Sequence, residues 1–349
     1  MALFGRSGGV GVGVDLGTAN VVVFQSDRGI VFDEPSCVAV RKLPRGGGVE
    51  VIAYGREAKA MIGKTPMGVS VIRPLRDGVI ANFDMTEAVL RHFISKACAA
   101  GHFSNPQVVV SVPARVTEVE RRAVVDAALG AGAREAYILD EPLAAALGAG
   151  LPINAPEGSM VLDIGSGTSE VAVISLGGLV VSNSLRIAGD SMDEAIIGLF
   201  RQKHALLIGE STAENVKNEI GSVLPLKEEL EMEVKGRDLA DGLPKVSRVS
   251  SVEVREVLLP IVSRIEDMVK VALEQTPPEL SRDIVDNGIV LTGGASQLRG
   301  LPEKLTRVLN APVILSEEPI HAVANGVGLT LQNLGEMKRI LTTVHKSQL

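Results

Sequence analysis

One pattern limits the folds open to this chain more than any other. An apolar strand runs into an Asp, a Gly turn and a second apolar strand, and it does so twice. The first copy is Val12-Gly13-Val14-Asp15-Leu16-Gly17-Thr18-Ala19-Asn20-Val21-Val22-Val23. The second is Met160-Val161-Leu162-Asp163-Ile164-Gly165-Ser166-Gly167-Thr168-Ser169-Glu170-Val171-Ala172-Val173-Ile174. The copies stand about 150 residues apart, whereas solenoid repeats recur every 20–50 or so. The pattern therefore predicts two related halves, and a chain of 349 residues suits two domains. With 46% apolar and 22% charged residues, each half has material for a packed core, and disorder as the main state is excluded.

Between and after the copies the sequence predicts a mixed α/β fold. Strands are expected at 36–40, 49–54, 108–112, 137–139 and 289–292, with a loop over 44–48. A helix is expected over 84–100, with Val89, Leu90, Phe93 and Ile94 on one side. The capping box Thr117-x-x-Glu120 opens another, stopping near Gly130 and Gly132. Asp140-Glu141-Pro142 starts a third, with Glu141 just before the helix proper. Helices are also expected over 192–207 and 211–221, a charged β-ribbon over 226–250, and an amphipathic stretch over 252–275 interrupted at Pro260.

The turns carry the chemistry. Glycine is in excess, 37 residues, and Gly after an apolar strand lets backbone N–H groups approach phosphate oxygens without a Cβ clash. Thr18 and Thr168 add hydroxyls, and a third turn, Leu291-Thr292-Gly293-Gly294-Ala295-Ser296, follows a further strand. Two such turns, one from each half, can clamp a triphosphate. The spacings match neither GxGxxG nor GxxxxGKS. Asp15 and Asp163, at the ends of apolar strands, suit Mg²⁺ bound with phosphates, the alternative being carboxylates that cap their own turns. Glycines that merely close strand-to-strand turns are the alternative for the turns themselves.

Composition removes other classes. A net charge of −7 argues against a nucleic-acid partner, and no Trp, two Tyr and seven Phe argue against stacking platforms. Two cysteines make neither a disulfide framework nor a four-ligand zinc site. No apolar run reaches the roughly 18 residues of a membrane span, and the N-terminus lacks a signal-peptide core, so a cytoplasmic location is expected.

Taken together, the three turns resemble the actin–Hsp70–hexokinase ATPase superfamily. Asp15–Asn20 is similar to its phosphate-1 motif, Asp163–Ser169 to phosphate-2 and Leu291–Ser296 to the adenosine motif. Further strings narrow the resemblance to the MreB family of bacterial actin-like cell-shape proteins. They include Asp33-Glu34-Pro35-Ser36 (Asn-Glu-Pro in type), Arg73-Pro74-Leu75-Arg76-Asp77-Gly78-Val79-Ile80-Ala81 and Val112-Pro113. So do Glu118-Val119-Glu120-Arg121-Arg122-Ala123, Asp140-Glu141-Pro142-Leu143-Ala144-Ala145-Ala146, Gly189-Asp190-Ser191-Met192-Asp193-Glu194-Ala195-Ile196 and Leu207-Ile208-Gly209-Glu210-Ser211-Thr212-Ala213-Glu214. The resemblance covers about residues 10–335.

It implies an actin-like, ribonuclease H-like α/β fold of two related halves with mixed sheets, each bearing a smaller subdomain, and a nucleotide cleft between them. Subdomain IA would comprise 8–33, 79–150 and 322–349, and IB 34–78. IIA would comprise 151–188 and 251–321, and IIB 189–250. It implies a Mg²⁺-dependent ATPase coupled to filament assembly. Glu141, with Thr168, would act on the attacking water. Thr18, Ala19, Asn20, Ser166, Gly167 and Thr168 would line the phosphates, and Asp15 and Asp163 would serve the metal. Glu214, Asn215, Val216, Lys217, Gly293, Gly294, Ala295 and Ser296 would hold the nucleoside side. A helix-terminal carboxylate is the plainer alternative for Glu141, and a surface ion pair for Glu214 and Lys217.

The implied partners are further copies of the chain in double antiparallel filaments, the inner face of the cytoplasmic membrane, and cell-wall elongation proteins such as RodZ and MreC/MreD. Leu3, Phe4 and Phe103 are the candidate membrane contacts, with a core position the alternative for Phe103. Three positions depart from the family pattern: Ser166 and Ala295 stand where Gly is usual, and Ser169 where Thr is. A Ser forced to positive φ at 166 would be strained. The alternative is a small-molecule kinase of the same superfamily, which would need a second substrate pocket beside the γ-phosphate, for which no insertion is seen; an Hsp70-type chaperone would need a C-terminal substrate domain.

Overall fold

The computed structural model describes residues 11–44, 47–76, 78–101 and 105–342. Leu3, Phe4 and Phe103 lie outside the described residues. The chain divides into two compact units, Met1–Ile153 with His321–Leu349, and Asn154–Ile320.

The sheet of the first unit runs in the order Glu135–Asp140, Gln107–Val112, Gly11–Leu16, Asn20–Gln25, Gly29–Pro35. The first three strands are parallel, and each of the last two is antiparallel to the strand before it. The sheet of the second unit runs Val313–Leu315, Ile289–Thr292, Ser159–Ile164, Ser169–Ser175, Gly178–Leu185, with the same sequence of parallel and antiparallel pairings. The repeat read from two short strings is thus a repeat of whole sheets. In both, the strand that ends in the Asp is central, buried on both faces, which is why it reads as a continuous apolar run.

Helix Phe83–Gly101 lays Val89, Leu90, Phe93 and Ile94 against Val12, Val14, Val108 and Val110 in the core of the first unit. Helix Glu118–Gly130 opens on the expected capping box: Thr117 Oγ1 accepts from Glu120 N, and Glu120 returns the bond to Thr117 N. A second capping box, Ser250 with Glu253, opens Ser251–Gln275. The ribbon is there as Glu231–Asp238 paired with Pro244–Ser250.

Three expectations need correction. Pro260 does not interrupt its helix, which is continuous over Ser251–Gln275. Pro260 and Glu256, the residue whose carbonyl loses its donor, both lie on the exposed side, where water can serve that carbonyl. The helix expected over 192–207 is Gly189–Lys203. Ala205, at φ 48°, turns the chain out of it and into the short strand Leu206–Leu207, which pairs with Glu231–Asp238. The strand expected over 36–40 is Val38–Lys42, and Gly29–Pro35 is a strand that the sequence hid behind its acidic, proline-ended finish.

Two glycines seat the helix that carries Glu141. Helices Glu141–Gly148 and Ala322–Gln332 cross so closely that a Cβ on Gly148 would stand 1.7 Å from the Ala322 carbonyl oxygen. A Cβ on Gly326 would stand 1.8 Å from that of Ala144. The obstacle is backbone in both cases, so no rotamer change relieves it. Gly326→Ala is expected to cost about 2–3 kcal/mol of stability by forcing the helices apart. Gly198→Ala, whose new methyl meets nothing within 4 Å in mid-helix, is expected to gain about 0.5–1 kcal/mol. Urea unfolding of both variants checks the contrast; equal midpoints would mean that the crossing is looser than described.

Candidate functional site

In the first unit Asp15 ends the central strand, and Ser111 lies opposite it in register on the parallel neighbour. Ser111 Oγ donates to Asp15 Oδ1 at 3.0 Å. In the second unit Asp163 has Thr292 opposite it on the parallel neighbour, and Thr292 Oγ1 donates to Asp163 Oδ1 at 2.7 Å. The duplication therefore extends to a carboxylate and its hydroxyl. Asp163 is buried, and that burial holds its carboxyl above the usual carboxylate range, with the Thr292 hydroxyl only partly offsetting the cost. A hard-oxygen pair built like this, one member carrying a desolvated charge, is suited to a divalent cation.

After Asp15 the turn places Ala19 at the surface, with Thr18 nearly buried. Thr18 Oγ1 accepts from Gly78 N at 3.2 Å, so the Arg73–Ala81 string folds back on the turn. The amide of Asn20 donates to Asp33 Oδ1 at 2.8 Å, and Asp33 Oδ2 meets His321 Nε2 at 3.2 Å. Asn20 is thus held by a residue of the neighbouring strand Gly29–Pro35. Glu141 is buried at the first position of its helix, with Asp140 as N-cap and Pro142 next. It stands one residue inside the helix, not before it, since a Pro at the second position fits the first turn, where N–H groups have no intrahelical acceptor.

In the second unit the turn 165–168 closes on itself, Gly165 N donating to the Thr168 carbonyl at 2.9 Å. Gly189 N and Asp190 N donate to the carbonyls of Gly165 and Ser166 at 3.1 and 2.7 Å, which fastens helix Gly189–Lys203 to the turn. Ser166 is absent from the non-glycine residues with positive φ, so its substitution for Gly carries no backbone strain. The expected penalty does not arise. Gly293, at φ 84°, does need to be glycine: a Cβ there would lie 2.3 Å from the Ile164 carbonyl oxygen. Ser296 is fully buried and spends its hydroxyl on the Gly293 carbonyl at 2.6 Å, so it builds the turn. Gly294 is exposed with open space where a side chain would be, and Ala295 packs on the core.

On helix Glu210–Ile220 the four expected residues divide. Glu214 is half-buried and Asn215 exposed, whereas Val216 is fully buried in the core, leaving only its backbone for a ligand. Lys217 is not part of a loose surface pair: its Nζ lies 2.9 Å from Asp193 Oδ1 and donates to the Gly189 carbonyl at 3.2 Å. Lys217 therefore links this helix to the segment fastened to turn 165–168. Asp193, Ser111, Asp33 and His321 were not singled out as site residues. Asp33 and Asp193 lie within strings quoted above for the resemblance, and Ser111 left a local trace as the polar residue in the run Val108-Val109-Val110-Ser111-Val112.

Burial outweighs the Lys217 ammonium at Asp193, whose carboxyl is pushed up from the ordinary 3.8 to about 6. The native state then holds this proton more tightly than the unfolded chain. Stability from the protonated form is lost as pH rises from about 4 to about 6, and the cost stays constant above that. Relative to the parent, Asp193→Asn is expected to gain up to about 3 kcal/mol between pH 4 and pH 7. Urea unfolding across that range checks it, and a difference independent of pH contradicts it.

Comparison with known proteins supplies independent ground. Residues 9–339 match the family model described as MreB/Mbl protein. The chain is 49% identical over 320 residues to the cell shape-determining protein MreB of Escherichia coli K12, covering 91% of this chain and 92% of that one. It is 44% identical over 328 residues to the cell shape-determining protein Mbl of Bacillus subtilis, covering 94% and 97%. Among solved structures it is similar to MreB5 of Spiroplasma citri bound to ADP, with TM-score 0.88, 37% identity, and 95% and 98% of the two chains covered. The same protein bound to AMPPNP gives TM-score 0.89 and 36% identity, with 96% and 99% covered.

Proposed function

The chain belongs to the MreB/Mbl family, and on that premise we propose that it binds and hydrolyses ATP and assembles into membrane-associated filaments that direct cell-wall synthesis and maintain cell shape. The observation that carries the reading is the duplicated carboxylate, hydroxyl partner and Gly turn, one set in each unit. The residues named above contribute as two half-sites. Backbone N–H groups and hydroxyls of 17–20 and 165–168 receive phosphate oxygens, and Glu210–Ile220 with Gly293–Ala295 takes the nucleoside. The four-subdomain division is part of the same reading.

Asp15 and Asp163 are the residues to hold Mg²⁺, which would neutralise phosphate charge when bound. Ser111 and Thr292 fix the rotamers of those carboxylates. Glu141, anchored at a helix start, orients the attacking water and accepts its proton, with the Thr168 hydroxyl as second contact. The burial of Glu141 limits competing water around it. ATP favours the polymerising conformation, and loss of the γ-phosphate contacts on hydrolysis weakens that preference. A head-to-tail contact that does not close generates the strand, and strands pair antiparallel. The proposed location is peripheral, on the inner face of the cytoplasmic membrane, in contact with the cell-wall elongation machinery.

No helix among the described residues is long and apolar enough to cross a membrane, so the attachment proposed is a surface one, through Leu3, Phe4 and Phe103. Replacing all three with Ser is expected to reduce co-sedimentation with anionic liposomes by at least about tenfold, since each large apolar side chain contributes roughly 1.5–3 kcal/mol when buried. Undiminished pelleting that still requires liposomes would place the contact elsewhere.

A further inference from the structure

Arg121 belongs to the string Glu118–Ala123, yet nothing in the nucleotide chemistry above uses it. It lies in the first turns of helix Glu118–Gly130 and is 8% exposed. One nitrogen of its guanidinium donates to Asp140 Oδ1 at 2.6 Å and to the Ala114 carbonyl at 3.3 Å. Both acceptors sit where the proposed machinery is anchored. Ala114 follows the strand Gln107–Val112, whose Ser111 holds Asp15. Asp140 ends the neighbouring strand and immediately precedes Glu141.

The orientation of Asp140 is the telling point. It occupies the N-cap of helix Glu141–Gly148, where an acidic side chain ordinarily accepts a backbone N–H of the first turn. Here it makes no cap bond and is turned to Arg121 instead. The pair is largely withdrawn from water, with side-chain exposures of 10% and 21%, so the bond is charge-assisted and poorly screened. A local helix-stabilising contact has been replaced by one that ties the start of the Glu141 helix to a different helix.

We infer that Arg121 is a positioning residue for hydrolysis: it fixes Asp140, and through it the position of Glu141, relative to the strand end that presents Asp15. The inference rests on the assignment of Glu141 to the attacking water. A displacement of about 1 Å in a reacting group can cost 10²-fold in rate, and the one terminal nitrogen that makes both bonds is held in the plane of a rigid guanidinium, whereas a lysine ammonium is carried on a shorter, flexible stem.

The test is single-turnover ATP hydrolysis, with nucleotide affinity measured on the same samples. The variants are Arg121→Gln, Arg121→Lys, Glu141→Ala and the double Arg121→Gln/Glu141→Ala. Arg121→Gln is expected to slow hydrolysis by about 10–100-fold while affinity stays within about threefold. Arg121→Lys is expected to recover part of the rate. In the Glu141→Ala background Arg121→Gln is expected to add nothing, because its effect passes through Glu141. A parental rate in Arg121→Gln beside a slow Glu141→Ala overturns the inference and leaves the catalytic assignment standing. A parental rate in Glu141→Ala overturns the assignment itself. A loss of affinity equal to the loss of rate, or a loss additive with Glu141→Ala, assigns Arg121 a structural role only and also overturns the inference. Should Arg121→Gln fail to fold, Asp140→Asn removes the same charge pair and is read against the same outcomes.

Discussion

Glu141→Ala is expected to slow ATP hydrolysis by about 10²–10⁴-fold, the usual worth of a positioned base, while nucleotide affinity changes by less than about threefold. The expectation follows from placement. Glu141 is buried at the head of a short helix of eight residues, held from behind by the glycine crossing with Ala322–Gln332. Truncating it removes the carboxylate without disturbing the crossing, whose contact residues are Ala144, Gly148, Ala322 and Gly326. Binding, by contrast, is proposed to fall to the turns and to helix Glu210–Ile220. Phosphate release measured in assembled protein, together with a fluorescent-nucleotide titration, separates the two effects. A parental release rate contradicts the assignment, and a parallel loss of affinity would make Glu141 a binding residue.

The second large effect is expected at Asp163. Asp163→Asn keeps the shape of the side chain and an acceptor for Thr292, and it removes a buried charge that is costly without a partner. The variant should therefore fold at least as stably as the parent. Its Mg²⁺-dependent gain in nucleotide affinity should nonetheless fall by about 10²–10⁴-fold, since removing one member of a buried charge pair costs about 3–5 kcal/mol. The pH dependence carries a matching sign. Because burial raises the Asp163 carboxyl above its ordinary 3.8, cation binding by the parent should strengthen as pH rises through that raised value, and the variant should lack this component. Titration with nucleotide at fixed pH, with Mg²⁺ or with a chelator, reads the first effect. An unchanged Mg²⁺ dependence contradicts the role given to Asp163.

What the sequence made legible was local and periodic. The Asp-Gly turns, the apolar strands before them and the capping box at Thr117 each leave a signature within a few residues, and each is found where the pattern put it. Helix Phe83–Gly101, expected over 84–100, was readable because a single core face recurs at helical spacing. Ala322–Gln332 was not, because Gly326 and Gly328 lower its intrinsic helix propensity and its role depends on a helix more than 170 residues earlier. A still longer separation, 288 residues, hid Asp33 with His321, and Asp193 with Lys217 was hidden because the two sit on different helices that only the folded chain brings together. Pro260 misled for a related reason: its cost depends on whether the freed carbonyl faces water, and that is a property of the packed helix. At Ser166 the departure from Gly looked like strain, and the turn proved to need none there; the strained position is Gly293.

The central claim is that nucleotide drives this chain into filaments. Electron microscopy of the purified full chain, with Mg²⁺ and ATP and without nucleotide, in the presence and absence of anionic liposomes, tests it most directly. The account predicts paired antiparallel strands with ATP, lying flat on lipid where lipid is present. It also predicts filaments of Glu141→Ala that persist after the parent's have shortened. Single particles with Mg²⁺ and ATP, both with and without liposomes, from protein that binds and hydrolyses ATP, would contradict it.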